Sequence, residues 1–413
     1  METFFGIVSV VIVTNITILF ANKYKEIALA IISAFVLRIS AALINLYVVT
    51  LPDGGIDATG FEYWAWMWGK DGLTEATSHF FEKGTPWFYS NLASLIYAIF
   101  GRSTLILQSI SVLAGVYCVV LVWKLSIEVW GTYSAAKKSA WLVAIYPILI
   151  LYSSLTMREV FITLLLLYGM LHVVLWVKTR KNRYALIALT AFFLQLFFHP
   201  GTAVAGLIFI GLIFLYAIKS SFISLIVRFS LNVKQLLVIL SSLLFGSILI
   251  YIYTNYGIDH LRYSYWFSID RVDVLIERVT IMQAGAATYP SWLIADSLLP
   301  FLLLLIPKLF YFLFSPFPWD VSEFRHLLGM LDGVVFIMLF LSIYSHRKYI
   351  KSNPQAFILL VFVILLSLVF SIVVGNFGTG LRHRSKMLPI IITIVAPFIY
   401  RVFFSKKKKS KLE

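Results

Sequence analysis

Apolar stretches of about 20 residues recur from one end of the chain to the other, long enough to cross a hydrocarbon core. A backbone buried in lipid must close its own hydrogen bonds, and continuous apolar runs without alternation do so as helices. The runs fall at 3–22, 26–50, 103–130, 138–155, 160–177, 184–198, 202–218, 235–254, 326–345, 356–374 and 387–404, with a further one at 293–315. The expected fold is all-α, a polytopic transmembrane bundle of about eleven or twelve helices. Charged residues are 13% of the chain, against about 25% in soluble domains, which leaves no room for a separate soluble domain. Residues 1–404 read as one transmembrane domain and 405–413 as a basic cytoplasmic tail.

The net charge of +15 does not signal a nucleic-acid partner, because Lys and Arg gather in short connectors between apolar runs. Lys23 and Lys25, Lys137 and Lys138, Lys178 to Arg183, Lys219 to Lys234, Arg347 to Lys351 and the tail all fall on one side by alternation. The expected protein is therefore multi-pass in the cytoplasmic (inner) membrane, with its N-terminus outside and its C-terminus in the cytoplasm. Residues 3–22 lack a basic leader and a small-residue cleavage site, so they read as a retained helix. Cys118, inside an apolar run, reads as a small buried residue.

Alternation assigns loops 51–102, 255–292, 316–325 and 375–386 to the outer face, with tight turns at 156–159 and 199–201. The first loop is long enough to carry interfacial helices. Parity also requires 293–315 to re-enter or lie interfacially, and Pro300, Pro307, Pro316 and Pro318 suit a broken helix there.

Most of the chemistry-bearing residues belong to that face. Asp53 and Asp57 follow a helix end, where a partly desolvated carboxylate can act as a general base towards a hydroxyl; beside Gly they also suit turn formation. Trp64, Trp68, Trp87 and Tyr89 in the same loop, with Trp319 further on, offer faces for a glycan or form an interfacial belt. Arg158 and Glu159 are an ion pair wedged between apolar helices: Arg158 suits a phosphate, and Glu159 suits orienting it or holding an acceptor hydroxyl. His199 in its outer turn reads as interfacial or functional.

The strongest departure is at 375–386, where a glycine-rich stretch leads into Arg382, His383, Arg384 and Lys386 on the face where basic residues are scarce. That pattern predicts a phosphate or pyrophosphate cradle of cations and free backbone N–H groups. Arg325, after the rigid 315–320 turn, could line the same cavity. No cofactor is expected. Asp53 and Asp57 could hold a divalent ion, but two carboxylates without a third ligand are a weak metal signal. Motifs for nucleotide phosphate loops, zinc proteases and CxxC sites are absent.

The Asp53 and Asp57 loop with its aromatic run, Gly101 and Arg102, Ala144 to Pro147, Tyr152 to Ser154 with Arg158 and Glu159, and Gly380 to Arg384 before Pro389 together resemble the GT-C superfamily of polyprenyl-phosphate-dependent glycosyltransferases. The related polymerases of the Wzy type, which assemble O-antigen and exopolysaccharide, are similar in the same places. The resemblance implies a GT-C-like bundle, an outward site, a first-loop acid as base and an undecaprenyl-linked donor. It implies transfer of a sugar or oligosaccharide to a hydroxyl of a glycan or lipid acceptor, in company with other polysaccharide-assembly membrane proteins. A transporter or flippase of an anionic lipid-linked glycan is the rival expectation.

Overall fold

The computed structural model describes residues 2–80, 87–228, 287–293, 295 and 298–399. The expected span at 235–254, most of the loop at 255–292 and the tail at 405–413 lie outside the described residues, as does the side chain of Arg325. Among the described residues the regular elements are helical, apart from an isolated bridge between Thr288 and Asn376.

Two helices, α1 (Glu2–Lys23) and α2 (Ala28–Tyr47), are followed by α3 (Ile56–Gly69), α4 (Leu73–Ser78) and α5 (Phe88–Phe100) within the expected first outer loop. Then come α6 (Thr104–Trp130), α7 (Tyr133–Ile145), α8 (Pro147–Tyr152), α9 (Glu159–Thr179), α10 (Asn182–Phe198) and α11 (Ala203–Arg228). The last group is α12 (Leu298–Phe314), α13 (Phe324–Ser345), α14 (Arg347–Ser352), α15 (Pro354–Val373) and α16 (Phe377–Val395). Six of the described helices, α1, α2, α6, α9, α13 and α15, are long and apolar enough to cross a membrane; α5, α10, α11 and α12 are shorter apolar helices.

Burial sorts these helices into centre and periphery. The apolar stretch of α6 is 83% buried against 22% for α1, so α6 is an axle and α1 presents Phe4, Ile7, Val11 and Leu19 to the surroundings. Around α6 pack α1, α2, α7 and α9. The second central element, α16, is buried continuously from His383 to Val395 and reaches α6, α7, α9, α12, α13 and α15. Helix stops follow local chemistry: Gly101 (φ 77) ends α5 and Gly131 (φ 66) ends α6, in a backbone region that side chains with a Cβ avoid.

One expected span is altered by proline, and one expected loop by capping. The run 138–155 is broken, because Tyr146 leaves the helix at ψ 122 and Pro147 starts α8 at its first position. The glycine-rich stretch at 375–386 is not a loop. Asn376 accepts a hydrogen bond from the backbone N–H of Thr379 at 2.7 Å and caps α16, which begins at Phe377 and absorbs Gly378 and Gly380. The expected cradle of free N–H groups is thereby replaced by a helix that distributes its cations around its circumference.

Helix α12 is laid across the end of α15. On its N-terminal side, the Tyr289 N–H donates to the Gly375 carbonyl at 2.9 Å and the Phe377 N–H to Ala287 at 2.9 Å. At its other end Ser315 gives its carbonyl to Arg384 of α16 at 2.6 Å. The Phe301 cluster packs on Ile372, and the Phe312 ring stacks on Phe370. Both ends of a helix of about 25 Å thus meet the stretch 370–384 of the bundle.

Candidate active site

The short turn after α2 sets the first carboxylate. Leu51 donates its N–H to the Asn45 side chain at 3.0 Å, and Gly54 donates to the Leu51 carbonyl at 2.9 Å. Asp53 sits in this turn at φ 61, a left-handed conformation that a residue with a Cβ adopts at a cost of about 1–3 kcal/mol. Such strain persists only where surrounding contacts over-determine it. Here the contacts are a two-pronged pairing with Arg382, from Nε to Oδ2 at 3.0 Å and from Nη2 to Oδ1 at 2.8 Å. The Tyr152 hydroxyl, at the end of α8, donates to Oδ2 at 2.9 Å.

Asp57, in the first turn of α3, takes the remaining face of the same guanidinium through Arg382 Nη1. Three chain segments 329 residues apart at their extremes are therefore joined on one cation. Arg382 and Asp53 are about a quarter exposed, and the Asp57 side chain is 43% exposed. The centre opens on the Asp57 side.

Burial alone would raise the Asp53 carboxyl. The hydrogen bonds and charge of Arg382, helped by the Tyr152 hydroxyl, outweigh it and hold the group below the usual carboxylate range. A depressed carboxylate contributes stability that is present above its unfolded value of about 3.9 and lost as pH falls through its folded value. The wild-type chain should lose thermal stability as pH drops below about 4. Asp53→Asn should be less stable at neutral pH and flatter across that acid range; parallel unfolding curves for the two proteins would contradict the pairing.

Behind this centre lies a second group of charges. The turn 153–158 is tied to α3 by the Thr156 hydroxyl, which donates to the Ala58 carbonyl at 2.8 Å. It delivers Arg158, whose guanidinium lies 5.3 Å from the centre of the Phe61 ring, and Glu159, which is buried at the start of α9. Lys386, one helical turn from Arg382, is buried with its Nζ 3.3 Å from His383 Nδ1, and lies within electrostatic reach of Glu159, Arg158 and Arg382. The His383 ring stacks on Phe370 and stands edge-on to His199, with centres 5.0 Å apart. Burial first, then the charges of Lys386 and Arg158, push His199 well below its ordinary value, so it is neutral at pH 7.

Arg384 does not share this centre. Two residues along a helix turn it about 200° from Arg382, and it is buried against α13. Its Nε meets Asp332 Oδ2 at 2.7 Å, its Nη1 the carbonyls of Leu313 and Ser315, and its Nη2 the carbonyl of Gly329. Tyr146, at the α7–α8 break, donates to the other oxygen of Asp332 at 2.9 Å. Arg382 is also fully paired but about a quarter exposed, whereas Arg384 is 1% exposed with every nitrogen used inside the fold, so the expected phosphate contact by Arg384 gives way to a structural one.

The aromatic residues also divide. Trp68 is buried and stacked on His79, Trp64 packs between Trp68 and Trp87, and Tyr89 is covered by Phe61 and Phe161. Their rings join α3, α4 and α5 to each other and to α9; the open glycan platform expected of Trp68 and Tyr89 is filled by neighbouring side chains. Trp319 is 73% exposed and lies flat on Phe317. Sequence reasoning missed Tyr152 as a partner of Asp53, and it passed over Arg38 and Asp332, each a lone charge inside an apolar run. An ionisable residue in such a run is a signal in its own right.

No group of three or more His, Cys, Asp or Glu that could hold a metal occurs among the described residues. The Asp53 and Asp57 carboxylates converge on the Arg382 guanidinium.

No family model matches the chain, and no curated protein does. Among solved structures it is similar to the archaeal oligosaccharyltransferase AglB from Archaeoglobus fulgidus, solved in complex with an inhibitory peptide and a dolichol-phosphate. The TM-score is 0.53 at 16% identity, over 92% of this chain and 51% of that one. The chain thus spans about half the length of that enzyme. At this identity the likeness shows the fold alone: a bundle of helices shared with about half of that oligosaccharyltransferase, all-α as the apolar runs led one to expect.

Proposed function

We propose that this chain is a membrane glycosyltransferase or polymerase acting on the outer face of the cytoplasmic membrane in cell-surface polysaccharide assembly. It transfers a sugar or oligosaccharide from a polyprenyl-(pyro)phosphate donor to a hydroxyl of a glycan or lipid acceptor. The observation that carries this reading is the convergence of Asp53, Asp57 and Arg382 on a GT-C-like bundle. The solved neighbour of that fold was captured with a dolichol-phosphate, a lipid phosphate of the kind proposed here.

In this mechanism the donor phosphate engages Arg382, with Arg158 and Lys386 adding positive field behind it. The acceptor oxygen bonds to the anomeric carbon as the bond from that carbon to the phosphate oxygen breaks. The lipid phosphate leaves with the bonding electrons, and Arg382 stabilises its developing charge. The acceptor proton passes to a carboxylate. Asp57 is the better placed base, because it is the more exposed and shares fewer contacts; Asp53 orients Arg382. The solvent-facing Trp319 remains available to a glycan.

Asp57→Asn should lower the transfer rate by about 10²–10⁴-fold, the range for losing a general base, with donor affinity little changed. Asp53→Asn should weaken donor binding as well as the rate, since it releases Arg382. Steady-state transfer from a defined polyprenyl-pyrophosphate oligosaccharide by the purified protein measures both. Full activity in Asp57→Asn would remove it from the reaction.

A further inference from the structure

Arg38 lies in the middle of α2, inside an apolar run, and is 1% exposed. No carboxylate pairs with it among the described residues; its hydrogen bonds go to backbone carbonyls. A buried cation without a counter-charge is expensive and is retained where it has a task.

Its contacts identify the task. Arg38 Nη1 donates to the Ala144 carbonyl at 2.8 Å and Nη2 to Val143 at 2.9 Å. These are the carbonyls opened by the α7–α8 break: Pro147 has no N–H to offer Val143, and Tyr146 takes the chain out of the helix before the next turn closes on Ala144. Beyond the break α8 runs only to Tyr152, whose hydroxyl meets Asp53. Arg38 therefore fixes the root of the element whose tip touches the carboxylate.

The third nitrogen points to the same place. Nε is buried without a hydrogen-bond partner among the described residues, and the Arg38 side chain borders a cavity of about 20 Å³ lined also by Tyr152, Ser153, Thr163 and Ser385. That space suits one water. The Ser153, Thr163 and Ser385 hydroxyl protons are committed to the carbonyls of Leu149, Glu159 and Arg382, so their oxygens are left as acceptors. A water fits this set: it accepts from Nε–H and donates to two hydroxyl oxygens. An anion would need donors that the hydroxyls have already spent. Gly115 leaves the gap, since a Cβ there would lie 2.8 Å from Arg38 Nε and 2.6 Å from Ser153 Cβ.

We propose that Arg38 is a positioning residue of the Asp53 centre: through the Val143 and Ala144 carbonyls and one ordered water, it holds α8 so that Tyr152 meets Asp53. The inference rests on the reading of Asp53, Asp57 and Arg382 as the reacting centre.

The test is an infrared titration of Asp53 in the full chain in nanodiscs, with its band assigned by subtracting Asp53→Asn. The charged and titratable groups facing Asp53 are Arg382 of α16, Tyr152 of α8 and Asp57 of α3. Arg38→Met keeps the apolar stem and removes the donors. The Asp53 midpoint should rise by about one unit, the scale of losing a charge-supporting hydrogen bond. Tyr152→Phe should produce the same rise, and the double variant no more than either alone. Arg38→Lys, which retains the charge, should give a smaller rise and serves if Arg38→Met does not fold. An unchanged midpoint with only a lower melting temperature, or additive shifts, would overturn the proposal. Because the titration needs no turnover, it separates this inference from the function: absent transferase activity would sink the latter alone.

Discussion

Arg382→Ala is expected to reduce transfer by at least about 10²–10³-fold, the loss seen when one preorganised charge-stabilising donor is removed. Two effects run in the same direction. The leaving phosphate loses the cation nearest the reacting carboxylates, and Asp53 and Asp57 lose the partner that both share. Two unscreened carboxylates then repel both each other and an anionic donor. Arg382→Lys should recover little, because an ammonium is a point charge and cannot serve Asp53 through two nitrogens while meeting Asp57 with the third. Rates over a donor series should show both variants impaired in donor affinity as well as in turnover. An Arg382→Ala protein with normal donor affinity would remove Arg382 from phosphate recognition.

Asp332→Ala should instead damage the fold. It strands Arg384, 1% exposed, without the carboxylate that pairs with it, and breaking one side of a buried pair costs about 3–5 kcal/mol. The loss reaches the α7–α8 break through Tyr146 and the 313–315 carbonyls through Arg384. Replacing both partners with apolar side chains, Asp332→Leu with Arg384→Met, should restore much of that stability, since the desolvation of both charges is then relieved. Unfolding of the three proteins in detergent decides the matter: equal destabilisation by the single and double variants would contradict a pair held for structure. Arg384 should accordingly affect abundance and melting temperature before it affects donor affinity.

The contrast between Arg382 and Arg384 marks how far the sequence could be read. Apolar runs and the placement of Lys and Arg were sufficient for a helical membrane bundle, because lipid imposes one solution on such a backbone. Alternation also grouped Asp53, Asp57 and Arg382 on one face, yet it carries no information on which of them touch. Contacts across 329 residues depend on how α16 packs, and a helix phase of about 100° per residue separates Arg382 from Arg384 although the charge pattern treats them alike. Gly378 and Gly380 read as a loop because their local preference is for turns; the Asn376 cap and the packing of α16 override it. Asp332 and Arg38 were passed over for the opposite reason, as single charges diluted in long apolar stretches. The loop aromatics were legible as a group but not as a buried one, since hydrophobic surface attracts a neighbouring helix as readily as a sugar face.

Cleavage of a lipid-linked glycan at its phosphate beside Arg382 leaves two products that can be followed together. Purified protein in nanodiscs would be given a polyprenyl-pyrophosphate oligosaccharide and an acceptor glycan, with lipid and glycan resolved by mass spectrometry. Extended glycan and released polyprenyl pyrophosphate should appear in equal amounts, and both should form about 10²–10⁴-fold more slowly in Asp57→Asn. Intact donor delivered to the opposite leaflet, with neither product formed, would contradict this cleavage and identify a transporter.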